Sequence, residues 1–309
     1  MKNTKIFLAG HKGLVGSAIL RKLINDNYKN IIIADKKKLN LLDQNKVFKF
    51  LKKKKPDIVI IAAARVGGIL HNTTNGADFI YQNLQIQNNL IHGSFKNKVN
   101  KLIFLGSSCI YPKFSKQPIR EDYLLDGKLE ETNTSYATAK IAGVKMCEAY
   151  NNQYKTNYIC LMPSNVYGPN DNYDSNNSHF FPALIKKAHE CKVKKKKYLE
   201  VWGTGKSFRE LIYVDDVADA CIFFMNKKTK ETVINIGSGK DMRIKDYAKF
   251  IIKKLNLDVK LKFNLSKPDG VYRKLLDISL AKKYGWKSKT SLSNGFDLTY
   301  TAFLNNKIK

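Results

Sequence analysis

The sequence predicts an α/β fold, a doubly wound parallel sheet with a smaller C-terminal α/β substrate-binding domain. Three observations carry that expectation. Apolar runs of strand length alternate with helix-periodic stretches through residues 1–165. A glycine-rich turn joins the first strand to the first helix. A polar stretch, Asn170–Ser178, then breaks the rhythm.

Lys5–Ala9 reads as a buried strand. It runs into Gly10-His11-Lys12-Gly13-Leu14-Val15-Gly16 and then a helix whose apolar face is Ile19, Leu20 and Leu23. Strand, glycine turn and helix in that order make a dinucleotide-binding, Rossmann-like turn. Gly10 permits the tight turn, Gly13 lets backbone approach a pyrophosphate, and Gly16 lets the helix pack on the sheet. The spacing is G-x-x-G-x-x-G. Asn30–Ala34 is the second strand, followed by Asp35-Lys36-Lys37-Lys38. An acidic residue about 20 positions beyond the glycines suits the ribose 2′-hydroxyl of NAD. Lys36 beside it, with Lys12 inside the loop, suits the 2′-phosphate of NADP. Both remain open at this point, and NADPH is the expectation because two lysines flank the ribose.

Asp43–Lys53 reads as a helix, Ile58–Ala62 as a third strand, Asp78–Phe95 as a long helix and Lys101–Leu105 as a fourth strand. The fourth ends in Gly106-Ser107-Ser108-Cys109-Ile110-Tyr111-Pro112. Doubly wound sheets place chemistry at the carboxyl ends of central strands, and Ser107 can donate there to a carbonyl oxygen. Thr134–Lys140 opens another helix, with Tyr136 and Lys140 one turn apart on one face. A free phenol titrates near ~10, and a neighbouring ammonium should draw it toward useful proton transfer. Tyr158–Met162 is a fifth strand, followed by Pro163-Ser164-Asn165-Val166.

Past the polar stretch, Phe180–Cys191 is a helix, Leu199–Trp202 and Phe208–Ile212 are strands around a Gly203-Thr204-Gly205 turn, and a helix runs from Tyr213 through Met225. Val233–Ile236 reads as a strand returning to the first sheet. Ile244–Leu255 is a helix and Pro268-Asp269-Gly270 a turn. The expected division is 1–165, rejoined by 213–240, for the nucleotide, and 166–212 with 241–309 for a substrate.

The 309 residues carry a formal net charge of +29. Charge alone invites a nucleic-acid partner. Of the 55 basic residues six are arginine, which leaves 49 lysines spread along the whole chain. No aromatic residues interleave with them as a base-stacking platform would require, so no nucleic acid is expected. The charge still favours a polyanionic small molecule. Where lysine is the default, an arginine such as Arg209 points to planar, bidentate binding. No run of about 18 apolar residues occurs, so no membrane is expected. Five scattered cysteines and five histidines form no metal motif, and the thiols suggest a reducing, cytoplasmic location.

A glycine-rich nucleotide turn, a serine after the fourth strand and Tyr-x-x-x-Lys downstream together resemble the extended short-chain dehydrogenase/reductase family. The chain is most similar to its bifunctional branch, which epimerises and reduces GDP-4-keto-6-deoxy-mannose. The matching stretches include Gly10–Gly16, Ala62–Ile69, Gly106–Pro112, Tyr136–Lys140, Asn165–Asn172, Ser178–Lys187, Trp202–Leu211 and Lys267–Asp277. The resemblance implies that Ser107, Tyr136 and Lys140 serve hydride transfer, and that Cys109 and His179 are an acid–base pair for epimerisation. It implies that Gly10, His11, Lys12, Gly13, Leu14, Val15, Gly16, Lys36, Leu105, Gly106, Lys140, Pro163, Asn165, Val166 and His179 hold NADP. It implies GDP-sugar contacts from Lys187, Trp202, Arg209 and Asp269, and a homodimer formed through two long helices. Relatives often carry arginine where this chain has Lys187, which turns a guanidinium fork into a point charge.

The chemistry agrees with those roles. A 4-ketone acidifies the hydrogens on carbons 3 and 5, and Ser107 and Tyr136 can stabilise the resulting oxyanion. A thiol near ~8.5 and an imidazole near ~6.5 can exchange protons near neutrality. Which of the two is base and which acid stays open. A competing reading is an enzyme for another GDP-4-keto sugar, a 6-deoxy-heptose or a dideoxy sugar. A non-catalytic NADP-binding or RNA-associated protein is favoured only by charge.

Overall fold

The computed structural model describes residues 2–174, 178–267 and 269–307. Its centre is a six-stranded parallel sheet. Strands β1 (Ile6–Ala9), β2 (Ile31–Ile32), β3 (Ile58–Ile61), β4 (Lys101–Leu105) and β5 (Tyr158–Pro163) come from the first half of the chain. Strand β6 (Asn165–Tyr167) pairs parallel with a strand of a second sheet instead. Helix α1 is Leu14–Asn25, α2 Gln44–Lys54, α3 Ile69–Thr74, α4 Gly76–Lys96 and α5 Thr134–Tyr154.

Four strands of the large sheet, β1, β3, β4 and β5, are buried along their full length. Alternate side chains feed two cores, as the period of two requires. Ile6, Leu8 and Ile60 pack with Ile19 and Leu23 of α1 on one face. Phe7, Val59 and Ile61 pack with Leu51 of α2, Leu90 of α4 and Val144 of α5 on the other. The second strand is shorter than the apolar run Asn30–Ala34 suggests, because it lies at the sheet edge and pairs only with β1. Asp43 starts α2 as its cap, accepting from the Lys46 amide at 2.9 Å.

Beyond β6 come α6 (Phe180–Val193), β7 (Tyr198–Trp202), β8 (Phe208–Tyr213), α7 (Val214–Met225), β9 (Val233–Ile236), β10 (Asp241–Arg243), α8 (Ile244–Lys254), β11 (Lys260–Asn264), β12 (Arg273–Lys274), α9 (Ser279–Lys283) and α10 (Leu292–Lys307). Strand β9 closes the large sheet beside β5, giving the order β2-β1-β3-β4-β5-β9. The order reverses at β1 and β3, the switch point where such sheets open a crevice. In the second sheet β8 is the hub. It pairs with β10 antiparallel, and with β6 and β12 parallel along its two halves. Strand β11 lies parallel to β7 as a separate pair.

The elements that sequence periodicity did not reveal are α3, β6, β10, β11, β12, α9 and α10. They are short, polar or both, so neither repeat stands out. Pro268, in the expected Pro268-Asp269-Gly270 turn, and residues 175–177 of the polar stretch lie outside the described residues. No helix is long and apolar enough to cross a membrane among the described residues.

Candidate active site

The glycine turn has the geometry a dinucleotide needs. Gly10 adopts φ +91°, and a Cβ there would come within 2.6 Å of the Ala63 amide nitrogen. A Cβ on Gly16 would strike the Gly10 carbonyl oxygen at 2.0 Å, so both positions require glycine. No side chain caps the first turn of α1. Its amides are therefore left to a ligand, and an anionic pyrophosphate fits them. His11, Leu14 and Val15 are half-buried within this turn.

At the far edge, Asp35 accepts from the Lys38 amide at 3.0 Å and lies 3.8 Å from Lys12. The Lys38 bond is the main cause holding its carboxyl below the ordinary value. Asp35 is thus committed to shaping its own turn, which leaves exposed Lys36 the freer group for a 2′-phosphate.

At the end of β4, Ser107 caps a short 3₁₀ turn, Ser108–Ile110, by accepting from the Cys109 amide at 3.1 Å. Tyr136 is buried at the start of α5, with its phenol beside Ser107. Burial raises the phenol above its ordinary value, and the Cys109 sulfur raises it further. This corrects the expectation that Lys140 draws Tyr136 toward phenolate. The Lys140 ammonium donates instead to the Leu105 carbonyl at 2.8 Å and lies 4.6 Å from the Phe104 ring centroid. Its burial lowers it to about 8. One helical turn puts the two residues on one face but does not aim Nζ at the phenol. Gly106 and Pro163 are buried at the ends of neighbouring strands. Asn165 donates to the Glu210 carbonyl at 2.8 Å, and Val166 pairs with Ile212.

Next to this group lies a cavity of about 250 Å³. Cys109, Asn165, His179, Lys187, Trp202, Arg209 and Asp269 all line it, although they come from both sheets. His179 precedes α6 and has one side open, yet it sits deep among protein atoms. That desolvation, with Lys274, lowers its pKa. Arg209 donates to the carbonyls of Phe208 at 2.7 Å, Val271 at 2.6 Å and Asp269 at 3.3 Å. It forms no pair with Glu210, whose carboxylate accepts from the Gly239 and Leu276 amides. Among the described residues no carboxylate neutralises Arg209 in a salt bridge, so its charge faces the cavity.

Two of these residues have surroundings the sequence does not show. Trp202 is 40% exposed at the cavity rather than packed in the core. Lys187 and Lys267 lie 4.9 and 5.1 Å from its ring centroid. Asp269 lines the cavity, but its carboxylate is occupied by Thr204, accepting from the amide at 2.7 Å and the hydroxyl at 2.9 Å. It holds the Gly203–Gly205 turn in shape.

Three cavity residues escaped the sequence. Glu200 binds Lys187 at 2.7 Å, Trp202 at 3.2 Å and Asn264 at 2.9 Å, and so fixes the tryptophan and lysine together. Asn133 reaches the Cys109 carbonyl at 3.5 Å. Lys274 reaches the Cys109 sulfur at 3.5 Å. Lys274 lies inside the stretch Lys267–Asp277, but one lysine among 49 carries no signal. No group of residues suited to a metal occurs among the described residues.

A model of the NAD dependent epimerase/dehydratase family matches residues 6–237. The chain is 50% identical to a GDP-L-fucose synthase of Sinorhizobium fredii over 302 residues, covering 98% of this chain and 96% of that protein. Its structure resembles a GDP-6-OMe-4-keto-L-xylo-heptose reductase from C. jejuni, with TM-score 0.92, 38% identity and 99% of each chain covered. It also resembles a GDP-L-fucose synthetase from Naegleria fowleri bound to NADP, with TM-score 0.91, 25% identity, and 100% of this chain and 95% of that one covered. A glycine turn built for a dinucleotide, a Ser107–Tyr136 pair at the end of β4 and a family match across most of the chain agree, and the chain belongs to the NAD dependent epimerase/dehydratase family.

Proposed function

We propose that this protein converts GDP-4-keto-6-deoxy-D-mannose to GDP-L-fucose by 3,5-epimerisation and NADPH-dependent 4-reduction. The observation that carries the proposal is one cavity lined by Cys109 and His179, with Ser107 and Tyr136 adjoining Cys109. The 50% identity to a GDP-L-fucose synthase supports the choice of sugar.

Each residue has a derivable task. The 4-ketone makes the hydrogens on carbons 3 and 5 acidic. Cys109 and His179 face the same cavity and exchange those protons, one removing and the other returning. Ser107 and Tyr136 donate to the carbon-4 oxygen while it carries enolate charge. Bound NADPH supplies the hydride to carbon 4. Tyr136 gives the oxygen its proton, and a phenol raised by burial suits that task because it stays protonated until the oxygen becomes strongly basic. Lys140, tethered to the Leu105 carbonyl, would hold the nicotinamide ribose. Gly10, Gly13 and the α1 amides hold the pyrophosphate, and Lys12 and Lys36 the 2′-phosphate. Arg209 and Lys187 meet the GDP diphosphate, and Trp202 offers its exposed ring to the guanine.

The same reading divides the chain into a nucleotide part, 1–165 with 213–240, and a substrate part, 166–212 with 241–309. It places a homodimer interface on α4 and α5, where Tyr81 and Tyr154 are exposed. Five free cysteines suit a reducing cytoplasm.

Incubation of the protein with GDP-4-keto-6-deoxy-D-mannose and NADPH in deuterated water tests the proposal. GDP-L-fucose bearing deuterium at carbons 3 and 5 is expected. Reduced sugar without deuterium at either carbon would remove the epimerase half. Turnover only of a GDP-4-keto-heptose, the class of the C. jejuni neighbour, would transfer the assignment to that sugar.

A further inference from the structure

Lys274 is on β12, beside Arg209 of β8 in the parallel register. Cys109 is in the turn after β4, in the other sheet, 165 residues away in sequence. The Lys274 ammonium meets the Cys109 sulfur at 3.5 Å. Among the described residues this is the one hydrogen bond of the Lys274 side chain; its charge also acts on His179, and no carboxylate pairs with it. A cation on a flexible stem has carboxylates to choose from on most protein surfaces. Here its ammonium is directed at a sulfur atom.

We propose that Lys274 is a positioning residue that holds the Cys109 sulfur in the cavity as a thiolate. The proposal deepens the assignment of Cys109 to proton exchange and rests on it for its catalytic meaning. The ionisation itself is simple. The thiol proton leaves to water, Lys274 keeps its own proton, and an ion pair replaces a thiol beside an ammonium. The charged and titratable groups facing the sulfur are Lys274, Arg209, Ser107 and Tyr136, and His179 lines the same cavity and feels the same Lys274 charge. Burial opposes the thiolate. Lys274, the Ser107 hydroxyl and Arg209 favour it, and together they outweigh burial. Tyr136 stays neutral and adds no opposing charge.

The inference explains a feature of the architecture. The thiol and its cation belong to different sheets, so the anion forms only where the two sheets meet around the cavity. Away from the second sheet, Cys109 would be a partly buried thiol with an ordinary or raised pKa.

The experiment titrates Cys109 in the intact protein without substrate. Iodoacetamide labelling of that residue, followed by peptide mass analysis, separates it from the four buried cysteines, with Cys109→Ser as the blank. In the unsubstituted protein, labelling should reach half its maximum below the ordinary thiol value of ~8.5. Lys274→Met should move that midpoint up by about one unit and slow labelling near neutrality about tenfold. Lys274→Arg keeps the charge and should restore the profile. If the Met variant fails to fold, Lys274→Gln takes its place, since it keeps a polar side chain of similar length. An unchanged midpoint in the folded neutral variant, or an Arg variant no better than the neutral one, would overturn the inference. The keto sugar is tested separately, by deuterium exchange at carbons 3 and 5 with NADP⁺ bound. A shifted thiol midpoint with no exchange even in the unsubstituted protein would sink the epimerase assignment and leave the Lys274 inference standing.

Discussion

The two ends of the cavity are built in opposite ways. At the Tyr136 end, Tyr136 and Lys140 are buried against the large sheet, and Lys140 is held by a close hydrogen bond. Lys140 is 3% exposed and fixed on the Leu105 carbonyl, and Tyr136 is 9% exposed beside Ser107. At the Trp202 end, the ring stands in solvent between two lysines, and one carboxylate, Glu200, organises the group. Desolvation controls protons at the first end, where it raises a phenol and lowers an ammonium. At the second, charges stand in partial contact with water, and the proposed function gives them the task of binding. Chemistry at a carbonyl needs fixed donors and a dry site, whereas recognition of a diphosphate tolerates mobile cations. Substitutions at the first end should therefore act on rate, and at the second on affinity.

The largest effect should come from Tyr136→Phe. It removes the proton donor and little else, so reduction should fall by about 10⁴-fold, the upper end for a positioned acid. Stopped-flow oxidation of NADPH measures this, with cofactor affinity by fluorescence titration expected to hold. A near-normal rate would show that the proton comes from another group, and the contrast between the two ends would collapse.

Cys109→Ser and His179→Asn come next. Each should slow deuterium entry at carbons 3 and 5 by about 10²–10⁴-fold. Because Ser107, Tyr136 and Lys140 remain, Cys109→Ser with NADPH should release sugars reduced without full inversion. Mass spectrometry and proton NMR of the product distinguish these outcomes. Exchange at the unsubstituted rate in Cys109→Ser would return that residue to a packing role.

At the other end, Arg209→Met removes a cation that no carboxylate among the described residues neutralises. Loss of its charge-assisted bonds should cost about 1.5–3 kcal/mol of GDP-sugar affinity, measured by calorimetry, with the rate at saturation changed much less. An equal fall in the saturated rate would place Arg209 with the proton-transfer groups. The smallest effect should be Lys187→Arg. A fork can keep Glu200 and reach a phosphate oxygen at once, so affinity should rise about twofold to fivefold. A fall would show that Glu200 had captured the guanidinium.

The order of the motifs alone determined much of this protein. Alternating strands and helices, the Gly10–Gly16 turn, Ser107 at a strand end and Tyr136 one turn before Lys140 are local patterns. Backbone periodicity and glycine stereochemistry act over a few residues, so a sequence displays them directly. Resemblance then supplied Cys109 and His179, which composition would have left as a core thiol and a loop imidazole. The tertiary structure decided what each side chain meets. Lys140 turns to the Leu105 carbonyl rather than the phenol. Asp269 is consumed by Thr204, and Trp202 lies in the open. Lys274 reaches the sulfur of Cys109 from 165 residues away. These outcomes are set by packing between two sheets whose strands are far apart in the chain, and by competition among nearby partners for each charge. Among 49 lysines no local pattern singles out Lys274, because what distinguishes it is only the sulfur that the fold brings to it.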